Sequence, residues 1–340
     1  MIDMQSVVVT GVGGYIAKYV TAELLESGYS VVGTVRSINR ADAIRSAIGV
    51  KSDTSNLTFA GVDLLTDAGW SEVMDGADYV MHIASPFTLD EPKDENELIA
   101  PAVEGTQRVL RAADAAGVKR VVVTSSVLAL FMGRGSGRYG PDSWSDVNAK
   151  IGAYPKSKTL AEQAAWRLAE GMSTEVVTVL PGYVMGPAIS GRPEGASADT
   201  ISDMINGKLP GIPDLQIPMV DVRDVAKLHV AAMQSPGAAG KRIIGSQSEP
   251  TAMRSLAETL TNAGYTKVPR RKLPTGLVKF LGAFNKDARS MVPYIGFQPS
   301  VDTSLSRKVC DWSAGAIEPG LIEMSHQIAE PPAHSSRTKH

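Results

Sequence analysis

The chain has 340 residues, 43% of them apolar and 21% charged, with a formal net charge of −2. That length allows one large or two intimately joined domains around a substantial core, and the balanced charge excludes the basic footprint of general nucleic-acid binding. A single cysteine, Cys310, excludes an intrachain disulfide; with no signal-peptide pattern at MIDMQ and no apolar run near ~18 residues, it points to a cytoplasmic chain that neither enters nor crosses a membrane.

Short valine-rich runs alternate with helical patterns through the first half. Val7–Val9 reads as a strand, followed by a glycine turn and a helix over Ile16–Glu26 that Gly28 ends. Val31–Val35 is the next strand and Asn39–Ile48 the next helix. Thr58–Val62, Tyr79–Ile83 and Val121–Thr124 read as three more strands, with a helix over Glu97–Ala116 between the last two. A helix over Ala153–Ala169 and a sixth strand, Val176–Leu180, follow. Strands of this kind flanked by helices predict a parallel sheet buried on both faces. The fold class is therefore α/β: a Rossmann, doubly wound parallel sheet with helices on both faces and a smaller C-terminal substrate lobe. Residues 182–219 are rich in Gly, Pro and Ser, and Val220–Met233 returns to a strand-then-helix pattern. The expected division is a dinucleotide-binding domain over 1–182 with a return segment at about 218–246, a substrate lobe over 183–330, and a polar tail over 331–340.

Thr10-Gly-Val-Gly-Gly-Tyr-Ile-Ala17 joins the first strand to the first helix. Gly11 permits a tight turn, Gly14 lets the backbone approach a pyrophosphate, and Ala17 lets the helix pack against the sheet. The helix start at Tyr15 and Ile16 then offers unpaired N–H groups to the anion. A tight turn with no ligand is the competing reading. The second strand ends in Thr34-Val-Arg36. An acid there would bind a ribose 2′-hydroxyl; Arg36, with Arg40 four residues on, suits a 2′-phosphate and so NADPH/NADP+. Two solvated surface arginines are the alternative. Asp63, after the third strand, either accepts from the adenine amino group or caps a helix.

Tyr154-Pro-Lys-Ser-Lys158 places Tyr and Lys at i and i+4 on one helix face. A nearby ammonium is expected to lower the phenol's pKa, so that Tyr154 can donate a proton to a carbonyl oxygen as hydride arrives. Lys158 would also reach the nicotinamide ribose. The fifth strand ends in Thr124-Ser125-Ser126, on the ligand side of such a sheet, where a hydroxyl can hold the substrate carbonyl.

TGVGGYIA, TVR, VDLL, HIASPF, VVVTSS, YPKSK and LPGYVMGP occur in that order. Together they resemble the extended short-chain dehydrogenase/reductase family, in the branch containing plant dihydroflavonol and cinnamoyl-CoA reductases and fungal aldehyde and methylglyoxal reductases. The likeness is strong over residues 5–235 and weak to about 328. It implies a Ser126, Tyr154 and Lys158 catalytic triad, Pro181 and Val184 behind the nicotinamide, and Phe87 in the wall of the substrate pocket. It also sets Leu64 and Ala84 beside the cofactor. Ala102 stands where many extended members carry Asn, which puts an Asn-based proton relay in doubt. Residues 188–210 match no member closely enough to name a substrate.

His82 reads as a buried, hydrogen-bonded residue, and His229 as packing or surface. Arg223 and Asp224 read as a turn and helix-start pair. Trp144 and Trp166 are ambiguous between core and pocket edge. No His, Cys, Asp or Glu cluster has metal-ligand spacing. The expected function is an NADPH-dependent carbonyl reductase acting on a small or medium aldehyde or ketone, as a monomer or homodimer. The alternatives are an NAD-dependent nucleotide-sugar epimerase or dehydratase, which prefers an acid where Arg36 stands, and a non-catalytic NADP sensor, which would lose Tyr154 and Lys158.

Overall fold

Valine runs with no polar face make the centre of the molecule. In the computed structural model, which describes residues 4–85, 92–281 and 292–330, seven strands form one parallel sheet. They are β1 (Ser6–Val9), β2 (Ser30–Val35), β3 (Leu57–Gly61), β4 (Tyr79–His82), β5 (Arg120–Thr124), β7 (Glu175–Pro181) and β11 (Arg242–Gly245). Their spatial order is β11-β7-β5-β4-β1-β2-β3, which reverses direction at β1 and β4. Val7, Val8 and Val9 are all fully buried because the sheet is covered on both sides.

The alternation of side chains across the strands divides the core. Val7, Val9, Met81, Val122 and Val177 pack with α1 (Tyr15–Glu26), α2 (Ala41–Ile48) and α8 (Val222–Gln234). Val8, Val80, Val121, Val123 and Val176 face α3 (Trp70–Met74), α4 (Asn96–Ala115) and α6 (Ala153–Ala169). The expected order of strands and helices is present. The sequence reading lacked α3, a single turn too short for a period, and did not identify β11, which is four residues long.

Among the described residues, three two-stranded pairs lie outside the main sheet. β6 (Gly137–Tyr139) pairs with β13 (Pro299–Val301), β8 (Tyr183–Met185) with β10 (Met219–Asp221), and β9 (Gln216–Ile217) with β12 (Thr251–Ala252). A second buried cluster is built on α7 (Ala196–Ile205), α9 (Met253–Asn262) and α12 (Glu318–Ala329). It includes Ile201, Met204, Leu256, Leu260, Leu321 and Met324. The remaining helices are α5 (Leu128–Phe131), α10 (Thr275–Leu281) and α11 (Ser304–Cys310). Among the described residues no helix is long and apolar enough to cross a membrane.

The two clusters are joined at Asp221, the N-cap of α8, which accepts from the Arg223 N–H at 2.8 Å. Arg223 also grips the Asp221 carboxylate (2.7 Å) and reaches Glu323 of α12 (3.0 Å). Arg223 and Asp224 stand at the helix start, as expected, while Arg223 pairs with Asp221 and Asp224 accepts from the Gly315 N–H. Gly320 makes the junction possible, since a Cβ there would sit 2.1 Å from an Asp221 carboxylate oxygen.

Candidate active site

The carboxyl ends of β1, β2, β4, β5 and β7 converge on one edge of the sheet. There the chain leaves β1 through Gly11, whose φ of +64° is left-handed, and a Cβ at that position would lie 2.9 Å from the Ala84 Cβ. Gly14, the N-cap of α1, has no side chain to satisfy the helix start. The first N–H groups, at Tyr15, Ile16 and Ala17, therefore face outward with the positive end of the helix dipole. The Tyr15 hydroxyl donates to the Gly186 carbonyl (2.6 Å) and the Tyr19 hydroxyl to that of Pro187 (3.0 Å). Ile16 packs against the core. These side chains support the turn, and only their backbone is available to a ligand.

Arg36 and Arg40 are both exposed at the end of β2, and among the described residues neither has an ion-pair partner. No acid occupies the strand end. The Asp63 carboxylate accepts from the Leu65 N–H (3.0 Å), closing a tight turn. The helix-cap alternative is thereby corrected, because α3 starts only at Trp70 behind a glycine N-cap. Leu64 packs toward Gly105 of α4. The Ala84 N–H donates to the Thr10 hydroxyl oxygen (3.0 Å). Phe87 lies outside the described residues.

Thr10 also fixes the tautomer of His82. Its oxygen accepts from the N–H groups of Ile83 and Ala84, so its own hydrogen goes to His82 Nδ1 at 3.0 Å. His82 Nε2 then carries the ring proton, toward Thr106 (3.3 Å). His229 is the reverse: Nδ1 donates to the Val225 carbonyl (2.8 Å) and Nε2 accepts from Thr124 (2.8 Å). Burial pushes His82 down to about 3 and His229 to about 4, from 6.5. The unfolded state therefore binds more protons than the folded one below pH 6.5, and stability is lost as pH falls through that window. Between pH 8 and pH 5 the two histidines together should remove at most about 4 kcal/mol, at about 1.4 kcal/mol per unit for each. His229→Gln keeps both hydrogen bonds and should halve that part of the slope in urea unfolding. An unchanged slope would show that His229 protonates freely in the folded state.

Tyr154 and Lys158 sit in the first two turns of α6. Pro155, in the first turn, costs the helix no hydrogen bond. The Lys158 ammonium donates to the Thr124 carbonyl at 3.2 Å and is 7% exposed. The expected lowering of the Tyr154 phenol is not observed: burial pushes it up to about 12. Burial likewise brings Lys158 down to about 8, opposed by the Glu162 carboxylate. In the protein alone desolvation is the cause of the phenol's rise, and the phenol stays protonated.

The two serines after β5 differ. Ser125 donates to the Glu162 carboxylate (2.6 Å) and is committed to the interior. The Ser126 oxygen accepts from the Leu128 N–H (3.2 Å), which leaves its proton for a ligand. Pro181, at the end of β7, is buried, and its carbonyl accepts from the Val127 N–H (3.0 Å). Val184 is half-buried against the core. A cavity of about 10 Å³, room for one water, is lined by His82, Thr106, Thr124, Ser125, Lys158 and Glu162.

Sequence reasoning missed Glu162 and Arg242. Their ion pair is 2.7 Å long, with side chains 0% and 9% exposed. The spacing was available: Tyr154, Lys158 and Glu162 follow at i, i+4 and i+8 on one face. The half-buried Trp166 and Trp144 both pack against this pair. The Trp166 indole donates to Glu162 (3.3 Å), and Arg242 stacks on Trp144 at 3.6 Å.

A doubly wound parallel sheet with an uncapped helix start after a glycine turn defines a nucleotide-binding Rossmann protein. Residues 7–244 match the NAD dependent epimerase/dehydratase family, and the chain belongs to that family. It is 37% identical over 253 residues to cinnamoyl-CoA reductase 2 of Arabidopsis thaliana, covering 72% of this chain and 74% of that one. It is 32% identical over 278 residues to the NADPH-dependent methylglyoxal reductase of Saccharomyces cerevisiae, covering 72% and 79%. The crystal structure of yeast methylglyoxal/isovaleraldehyde reductase complexed with NADPH superposes with a TM-score of 0.79 at 25% identity, over 95% of this chain and 98% of that one.

Proposed function

We propose that this chain is an NADPH-dependent carbonyl reductase that reduces a small or medium aldehyde or ketone with Ser126, Tyr154 and Lys158. The oxidoreductase class and the cofactor follow from the reductase relatives and the NADPH-bound neighbour. The observation that carries the finer reading is the face of α6 that carries Tyr154 and the buried Lys158, beside a Ser126 hydroxyl with a free proton.

The site residues fit the cofactor. The uncapped start of α1 suits a pyrophosphate, and the unpaired Arg36 and Arg40 suit a 2′-phosphate. Bound NADPH supplies the hydride. Ser126 donates a hydrogen bond to the carbonyl oxygen and fixes its position. Tyr154 transfers its phenolic proton to that oxygen as the C–O double bond becomes single. Lys158 holds its charge beside the phenolate that forms, at the moment when the attraction is strongest. The pKa of about 12 keeps the phenol loaded with its proton across the neutral range. Pro181 at the end of β7 and Val184 in β8 form the apolar backing.

The epimerase alternative is disfavoured by Arg36, since an acid there would be needed to select NAD. A sensor role is disfavoured by the retained Tyr154 and Lys158. The test is a panel of aldehydes, α-diketones and ketones with NADPH and with NADH, read by absorbance of the reduced cofactor. Turnover should be faster with NADPH, and Arg36→Asp should raise KM for NADPH at least tenfold more than KM for NADH. Equal use of both cofactors by the native enzyme would sink the 2′-phosphate reading, and an inert panel would sink the reductase reading.

A further inference from the structure

The Glu162 carboxylate has no solvent exposure yet receives five donors. Ser125 (2.6 Å) and Arg242 Nη2 (3.0 Å) reach Oε2; Thr178 (2.7 Å), Arg242 Nε (2.7 Å) and Trp166 (3.3 Å) reach Oε1. These donors come from the loop after β5, from β7, from β11 and from α6 itself. Arg242 is in turn locked by the carbonyls of Pro141 (2.7 Å) and Ser143 (2.5 Å) and by the face of Trp144. Such a network costs desolvation of two ions, and packed apolar residues of the same volume would be at least as stable. Stability alone therefore does not account for a full charge at this place.

Its location does. Glu162 is one turn beyond Lys158 on the face of α6 that carries Tyr154, and both Lys158 and Glu162 line the same water-sized cavity. Glu162 also fixes the hydroxyl of Ser125, the residue next to Ser126. Resting on the reading of Tyr154, Lys158 and Ser126 given above, we propose that Glu162 is a positioning residue. Its carboxylate, immobilised by Arg242, is the fixed counter-charge of Lys158 and the anchor of the turn that carries Ser126.

Among the described residues, the titratable groups around Lys158 come from three elements. Tyr154 and Glu162 lie on its own helix, and His82 faces it from β4. Arg242 stands behind Glu162. His82 is neutral, so the charge that opposes loss of the Lys158 proton is that of Glu162. With Lys158 already near 8, losing that charge would bring its midpoint to about 7 or below, leaving about half of the amine or more neutral at pH 7. That share of the enzyme would lack a cation beside the phenolate.

The test reads Lys158 directly. Protein labelled with ¹³C at lysine Cε is titrated by NMR without cofactor, the Lys158 signal being assigned by its loss in Lys158→Met. In Glu162→Gln the Lys158 midpoint should fall by at least about one pH unit, and the alkaline limb of carbonyl reduction should move acidward with it. Glu162→Asp keeps the charge and should restore most of the midpoint while kcat stays reduced. If Glu162→Gln does not fold, the double variant E162Q/R242M, which removes both members of the Glu162–Arg242 ion pair together, is read in its place. A folded neutral variant in which Lys158 titrates as in the native protein overturns the proposal. Failure of the underlying mechanism is separate: it appears as an active Tyr154→Phe enzyme, whatever Lys158 does.

Discussion

Tyr154→Phe should leave a folded protein that binds NADPH and turns over at least about 10²–10⁴-fold more slowly. The change removes one oxygen from a half-buried ring, so the apolar packing of the ring is kept. What disappears is the proton donor for the developing alkoxide. Lys158→Met should cost turnover and cofactor affinity together, because the ammonium is lost both to the phenolate and to the ribose. Ser126→Ala should raise KM less than it lowers kcat, since the hydrogen bond strengthens as charge grows on the carbonyl oxygen. The measurement is steady-state reduction of a substrate found on the carbonyl panel, beside a fluorescence titration with NADPH. A folded Tyr154→Phe protein with near-native turnover would refute the mechanism.

Arg242→Ala should be the most destabilising single change in the site, by about 3–5 kcal/mol. It strips the Glu162 carboxylate of its hydrogen-bonded guanidinium, leaving Ser125, Thr178 and Trp166 as its donors, and removes the donors to Pro141 and Ser143. It also uncovers Trp144. The double variant E162Q/R242M should lose less, because neither partner is left charged and alone. Urea midpoints of the two proteins decide the matter. If Arg242→Ala unfolds within about 1 kcal/mol of the native protein, the pair is not buried as the structure has it.

The sheet was legible in the sequence because short valine-rich runs alternate with helical patterns through the first half of the chain. Val7–Val9, Val31–Val35 and Val121–Thr124 all lie in strands, since a strand buried on two faces needs only apolar residues in a row. β11 was not, because four residues beginning with Arg242 carry no such run; that arginine is buried only because Glu162 meets it from α6. In the candidate site, Gly11, Tyr154 and Lys158 were readable as spacings. The committed role of Ser125 was not, because two adjacent serines are alike until one of them finds a partner 37 residues away. The phenol's upward shift was missed for a related reason: it depends on how much water the fold removes, which no spacing encodes.

The connectivity of β7 and β11 bears on how the chain reaches this state. β11 completes the sheet edge only after the chain has left β7 at Pro181 and returned at Arg242. β13 then pairs with β6 across a longer interval still, Pro299 against Gly137. On the ribosome, strands β1–β7 are complete long before either partner emerges. During that time β7 presents an unpaired edge of Val177, Val179 and Leu180, the kind of surface that templates association with other chains. Parallel pairing over such distances is slow, because loop closure precedes the contacts that reward it. Refolding yield should therefore be limited by late capture of the C-terminal strands, and low concentration or a chaperone that shields the β7 edge should raise it.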